Sequence, residues 1–212
     1  MSALEKLLSI ASPALSASNQ PIDRSFFEPY GNLGHELHSL LTQRNGFFAF
    51  ESALHVFPFG VDSQQPTVQS WNDPACWKYE YGPLLPRDML CFAQDAFGNQ
   101  FCLHDGSVGL FTAEYAKVER LAKTPAEWAE LLLSDWCGFT GFELAHEWQV
   151  ANRPLAAGER LIPKIPFVIG GKYEVANLYA GQNVAAMRFR GDFARQIAQL
   201  PEGTRISLKV VP

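Results

Sequence analysis

Lysine and arginine never cluster in this chain of 212 residues, and the formal charge is −5 with histidine neutral. That removes the basic footprint with which proteins grip nucleic-acid backbones, and it favours a basic or neutral partner. No stretch approaches the roughly 20 apolar residues of a membrane span. Cysteine is sparse: Cys76, Cys91, Cys102 and Cys137 show neither CxxC spacing nor a disulfide framework, which predicts free thiols and a reduced, cytoplasmic setting. There is no GxSxG elbow, no complete GxxxxGK[ST] loop, no repeat and no long low-complexity tract. The N-terminus has a short apolar run, but Glu5 precedes Lys6 and Ser9, Ser12 and Pro13 interrupt it. It reads as an amphipathic helix and linker over residues 1–24 rather than a signal peptide.

What is present is organised around Met89 to Ser134. Leu90 and Phe92, Phe101 and Leu103, and Val108 and Leu110 alternate as in strands that bury one face. Ala96-Phe97-Gly98-Asn99 and Asp105-Gly106 supply two tight turns, the second suited to a type I′ hairpin, so the pairing is antiparallel. Cys91, Ala93 and Cys102 are apolar on the opposite side, which predicts strands covered on both faces. Thr124-Pro125-Ala126-Glu127 then reads as a capping box with proline at the first helical position, followed by Trp128, Leu131 and Leu132 at helical spacing.

Before this stretch, Ser25 to Glu28 suggests a capped turn, and Leu33, Leu37, Leu40 and Leu41 mark a helix that Asn45-Gly46 ends. Phe47 to Phe57 reads as strands interrupted at Glu51-Ser52-Ala53, and Pro58 to Pro74 as a surface loop. After it, Thr140 to Glu143 reads as a second capping box opening a helix with Leu144, Ala145 and Trp148. Phe167 to Ile169 reads as a strand, Tyr173 to Met187 as a hairpin turning at Ala180 to Asn183, and Asp192 as the cap of a short helix ended by Pro201 and Gly203. Ile206, Leu208 and Val210 complete a last strand. The expected fold is α+β, a mostly antiparallel central sheet with packed helices and a C-terminal strand-helix-strand extension. The main domain spans 25–152 and the extension 153–212, in one unit of a size that buries roughly 70% of its unfolded surface.

Each candidate for chemistry has a plainer reading. His35 and His38 stand at i, i+3 rather than the i, i+4 of a zinc-protease helix, and His146-Glu147 lacks a second histidine. Asp105, beside His104, is explained by the turn, as are Asp95 and Asn99, whose loop lacks the acid spacing of a calcium loop. Phe167 to Lys172 runs into glycines and a lysine, but no helix follows to hold phosphate. No catalytic constellation, metal site or cofactor site emerges. A small-molecule enzyme would have to gather Asp95, His104 or Glu143 in one pocket.

The aromatic and acidic group Trp71, Asp73, Trp77, Tyr79, Glu80 and Tyr81 admits two readings. Its rings cover the sheet as core, or they anchor a protein partner beside a loop, with the carboxylates, Asp95 among them, selecting a basic one.

Over Asn45-Gly46-Phe47-Phe48-Ala49-Phe50, and more firmly over Leu90 to Phe101, the chain resembles the SUKH superfamily of Smi/Knr-type proteins. The helix ending in Asn-Gly, the strand ending in Asp-x-x-Gly, the next strand and the Thr124 to Leu133 helix follow that family's order over residues 30–135. Phe47 stands where a second glycine is usual. Ile165 to Gly171 and Leu200 to Thr204 resemble an extension in a longer bacterial subset. The resemblance implies an α+β fold, no shared catalytic residues, and a protein-binding role. Bacterial members are widely inferred to be immunity proteins against toxins, many of them nucleases, and fungal relatives to be regulatory scaffolds.

Overall fold

The computed structural model describes residues 1–16, 21–60, 65–201, 204 and 206. Helix α1 (Ala3–Ile10) opens on a reciprocal capping box: Ser2 Oγ accepts from Glu5 N, and Glu5 Oε2 accepts from Ser2 N. A 3₁₀ segment, Arg24–Tyr30, is capped by Asp23 rather than Ser25. Helix α2 (Gly31–Gln43) buries Leu37, Leu40 and Leu41, the apolar stripe read from the sequence.

Strands β1 (Phe47–Ala49), β2 (Leu54–Val56), β3 (Leu90–Gln94), β4 (Gln100–His104), β5 (Ser107–Thr112) and β6 (Lys117–Ala122) form one antiparallel sheet in sequential order. The β1–β2 turn places Phe50, Glu51 and Ser52 all at positive φ, which explains the interruption expected there. At the β4–β5 hairpin Asp105 and Gly106 have φ of 46° and 63°, the sign pair of a type I′ turn. Strand β6 escaped the sequence reading. It carries Lys117, Glu119 and Arg120, charges that suit a sheet edge and erase the alternation that marks a half-buried strand.

Both faces of β3 and β4 are covered, as their two-sided apolar pattern predicted. On one, helix α4 (Pro125–Ser134) sets the Trp128 ring edge-on to Phe92 and Phe101, at centroid distances of 5.1 and 5.5 Å. Thr124 caps it by accepting from Glu127 N, while the Glu127 carboxylate takes the Lys123 N–H, one residue upstream of a strict capping box. On the other face, Trp71 from helix α3 (Val68–Asn72), Trp77 and Tyr81 pack with Phe57 and Phe111.

Downstream the sequence reading needs correction. Thr140 ends helix α5 (Trp136–Thr140) instead of capping the next helix, and Asp135 is the α5 cap. Gly141, at φ 70°, makes the corner into α6 (Phe142–Ala151). Phe167–Ile169 is a 3₁₀ turn, not a strand. Tyr173 to Met187 forms no hairpin: β8 (Leu178–Gln182) pairs instead with β7 (Glu159–Pro163), and Asn183 opens helix α7 (Asn183–Ala198). Asp192 lies inside α7. The helix runs through Gly191 because a Cβ there would stand 2.8 Å from both Glu80 Cβ and the Tyr81 ring, so the glycine serves close packing rather than termination. Leu161 N donates to Ala96 O and ties β7 to the β3–β4 turn. Of the last expected strand, Leu208 and Val210 lie outside the described residues, and Ile206 has no strand assignment. No helix among the described residues is long and apolar enough to cross a membrane.

Candidate functional site

The aromatic group is divided by burial. Trp71, Trp77 and Tyr81 are fully buried, so the interface reading is corrected for them: they are core. Trp71 Nε1 donates to Gln100 Oε1, and Tyr81 Oη donates to Ala113 O. The loop read as surface is pulled inward because their rings complete the second face of the sheet. Tyr79 stays half exposed, with the Arg188 guanidinium 5.6 Å from its ring centre. Glu80 is bridged by Arg195 at 3.2 Å, and Asp73 is exposed and caps Ala75 N. Helix α7 thus answers the ring and carboxylate that the sequence offered to a partner.

Asp95 is buried, not presented on a surface. Its Oδ1 accepts from Phe97 N and Asn99 N, and Oδ2 from Asn99 Nδ2. This is the turn role expected of Asp95 and Asn99. Burial nevertheless pushes its carboxyl up to about 6. The histidines are dispersed: His38 Nε2 contacts Ile22 O, His146 pairs with Glu51 at 2.7 Å, and His104 borders a separate surface hollow with Asp105. Asp95, His104 and Glu143 therefore share no concavity. No group of three or more metal-ligating side chains occurs among the described residues.

Asp95 instead borders a cavity of about 170 Å³. Its walls come from the β3–β4 turn, the end of β5, the α5–α6 corner, the 167–173 segment and α7. Glu114, just after β5, and Arg190, on α7, both enter it, and both are buried. Glu114 Oε2 accepts from Val168 N, and burial raises its carboxyl above the ordinary range. Behind the cavity lies Arg160, also buried. With its amide oxygen turned toward Arg160, Gln94 accepts from Nε at 3.2 Å and Nη2 at 3.3 Å. Arg190 acts on both buried carboxylates, and Arg160 feels the charge of Asp95. The sequence reading passed over Arg160, Arg190 and Glu114, since no motif links them. None of the three falls on an element read from the sequence, so no local signal marked them.

A second feature is electrostatic. From Pro125 to Ala151, through α4, α5 and α6, there are five acidic residues, Glu127, Glu130, Asp135, Glu143 and Glu147, and no lysine or arginine. All five are exposed, so this one helical segment carries charge equal to the net −5 of the chain. Trp136, 42% exposed, lies among them. Glu143 and Glu147 border a shallow hollow with Cys137 and Tyr173 that adjoins the cavity mouth.

No protein-family model matches the chain, and no curated protein matches it. A solved structure, that of Atu4351 from Agrobacterium tumefaciens, is similar over 89% of this chain and 88% of its own, at a TM-score of 0.56 and 13% sequence identity. At that identity the likeness is one of fold.

Proposed function

We propose that this chain is a non-enzymatic protein-binding module, an immunity protein that neutralises a basic toxin domain, such as a nuclease, by stoichiometric contact. The observation that carries the reading is the helical segment α4–α6, with five exposed carboxylates, no cation and an exposed Trp136. A one-signed segment steers a basic partner into encounter, and Trp136, an exposed ring within it, offers an anchor. A cationic nucleic-acid enzyme presents the complementary groove, and an acidic inhibitor seated there excludes its substrate. The SUKH-like order of elements supports the same role. The interface thus moves from the Trp71 to Tyr81 group to α4–α6.

Co-expression with a toxin encoded beside this gene tests the proposal. Growth rescue together with a 1:1 complex on size exclusion is the expected result. Absence of both, or capture of the same endogenous protein from cells lacking any such toxin, would replace it with a regulatory scaffold.

A further inference from the structure

The Arg190 guanidinium is the most unusual polar group in the described structure. It is 3% exposed, and Nη1 is fully buried without a hydrogen-bond partner. No carboxylate lies within ion-pairing distance of it among the described residues, although Asp95 and Glu114 both feel its charge. A buried, unpaired cation is costly, so a group that supplies complementary acceptors gains more here than at a surface. Gly98 makes room for it: a Cβ there would stand 3.0 Å from Nη1.

The other groups restrict what fits. Asp95 is committed to its turn through three hydrogen bonds. Glu114 accepts from Val168 N through Oε2 and also feels the Phe167 N–H, and its carboxylate stands at the cavity wall. Beside these charges the lining combines the apolar Phe97, Leu110, Phe139 and Phe167 with Thr112, Tyr115 and Tyr173. A dry cavity of about 150 Å³ admits a molecule of benzene's bulk, so about 170 Å³ suits a small molecule.

We infer that this cavity is a binding site for a free α-amino acid with a small or medium apolar side chain, its carboxylate on Arg190 and its ammonium group on Glu114. A simple anion would leave Glu114 facing it, and a simple amine would leave Arg190 unpaired. The zwitterion satisfies both while its side chain meets the aromatic walls. The inference is independent of the toxin-binding proposal, since it requires no protein partner.

The test uses the full-length wild-type protein, with calorimetry and thermal melting against L-valine and L-leucine. Isobutylamine, isovalerate and inorganic phosphate serve as probes lacking one or both features. The amino acid is expected to raise the melting temperature, and removing either its carboxylate or its ammonium group to weaken binding by about tenfold or more. Glu114→Gln is expected to weaken the amino acid while leaving isovalerate unchanged. Arg190→Lys is expected to weaken both. Isovalerate or phosphate binding as tightly as the amino acid would overturn the inference in favour of an anion site, and no response to either amino acid would remove the site. The probe series on the wild type decides the matter even if an Arg190 variant fails to fold.

Discussion

The Trp71 indole N–H donates to the Gln100 side-chain oxygen at 2.7 Å, and both residues are fully buried. Trp128, equally buried on the opposite face of the sheet, has no partner for its indole nitrogen among the described residues. Trp71→Phe would orphan a buried acceptor, whereas Trp128→Phe would remove an unpaired donor. We expect Trp71→Phe to cost about 1–3 kcal/mol more than Trp128→Phe. Urea denaturation of the two variants checks this, and equal losses would contradict it.

Asp95 makes stability depend on pH in the sense opposite to an ion-paired carboxylate. Burial raises its folded-state value to about 6 from 3.8, so the folded state holds the proton more tightly than the unfolded chain. The stabilising contribution is complete below the unfolded value and is lost as the pH rises through about 6. Glu114 is shifted in the same direction. Between about pH 4 and pH 7, wild type should lose about 2 kcal/mol relative to Asp95→Asn. A stability difference that stays flat across that range would show that Asp95 does not titrate as described.

Glycine substitutions separate backbone strain from crowding. Gly106 and Gly141 both have positive φ, 63° and 70°, but a Cβ at Gly106 meets nothing within 4 Å. At Gly141 it would lie 2.4 Å from Phe97 Cε2. Gly106→Ala should cost about 1 kcal/mol, and Gly141→Ala distinctly more. Thermal melting ranks them, and the reverse order would refute the packing described at the α5–α6 corner.

Charge reversal addresses the proposed acidic interface. Glu143→Lys with Glu147→Lys should slow association with a basic toxin domain by about tenfold at low salt, with stability changed by no more than about 0.5 kcal/mol per site. Stopped-flow association against ionic strength measures it. An unchanged on-rate would move the interface away from α6.

Much of the central sheet was legible because its cause is local. Leu90, Phe92, Phe101 and Leu103 alternate with the strand period, Asp105-Gly106 admits the backbone signs that a tight hairpin needs, and Thr124-Pro125 starts α4 through its own side-chain chemistry. Strand β6 was not legible, because an edge strand bearing Lys117, Glu119 and Arg120 lacks that periodicity. Helix α7 was hidden by Gly191 and Asp192, which look like a break until Tyr81 is found against the glycine.

The candidate sites divide along the same line. The sequence by itself determined the acidity of the Pro125 to Ala151 segment, since charge depends on composition and exposure follows from amphipathic helices. It also determined the turn role of Asp95. Only the tertiary structure decided that Trp71, Trp77 and Tyr81 face inward, because either side of their loop could have met the sheet. Only it brought Arg190 beside Glu114, since charges from separate elements meet through long-range packing that no local pattern encodes.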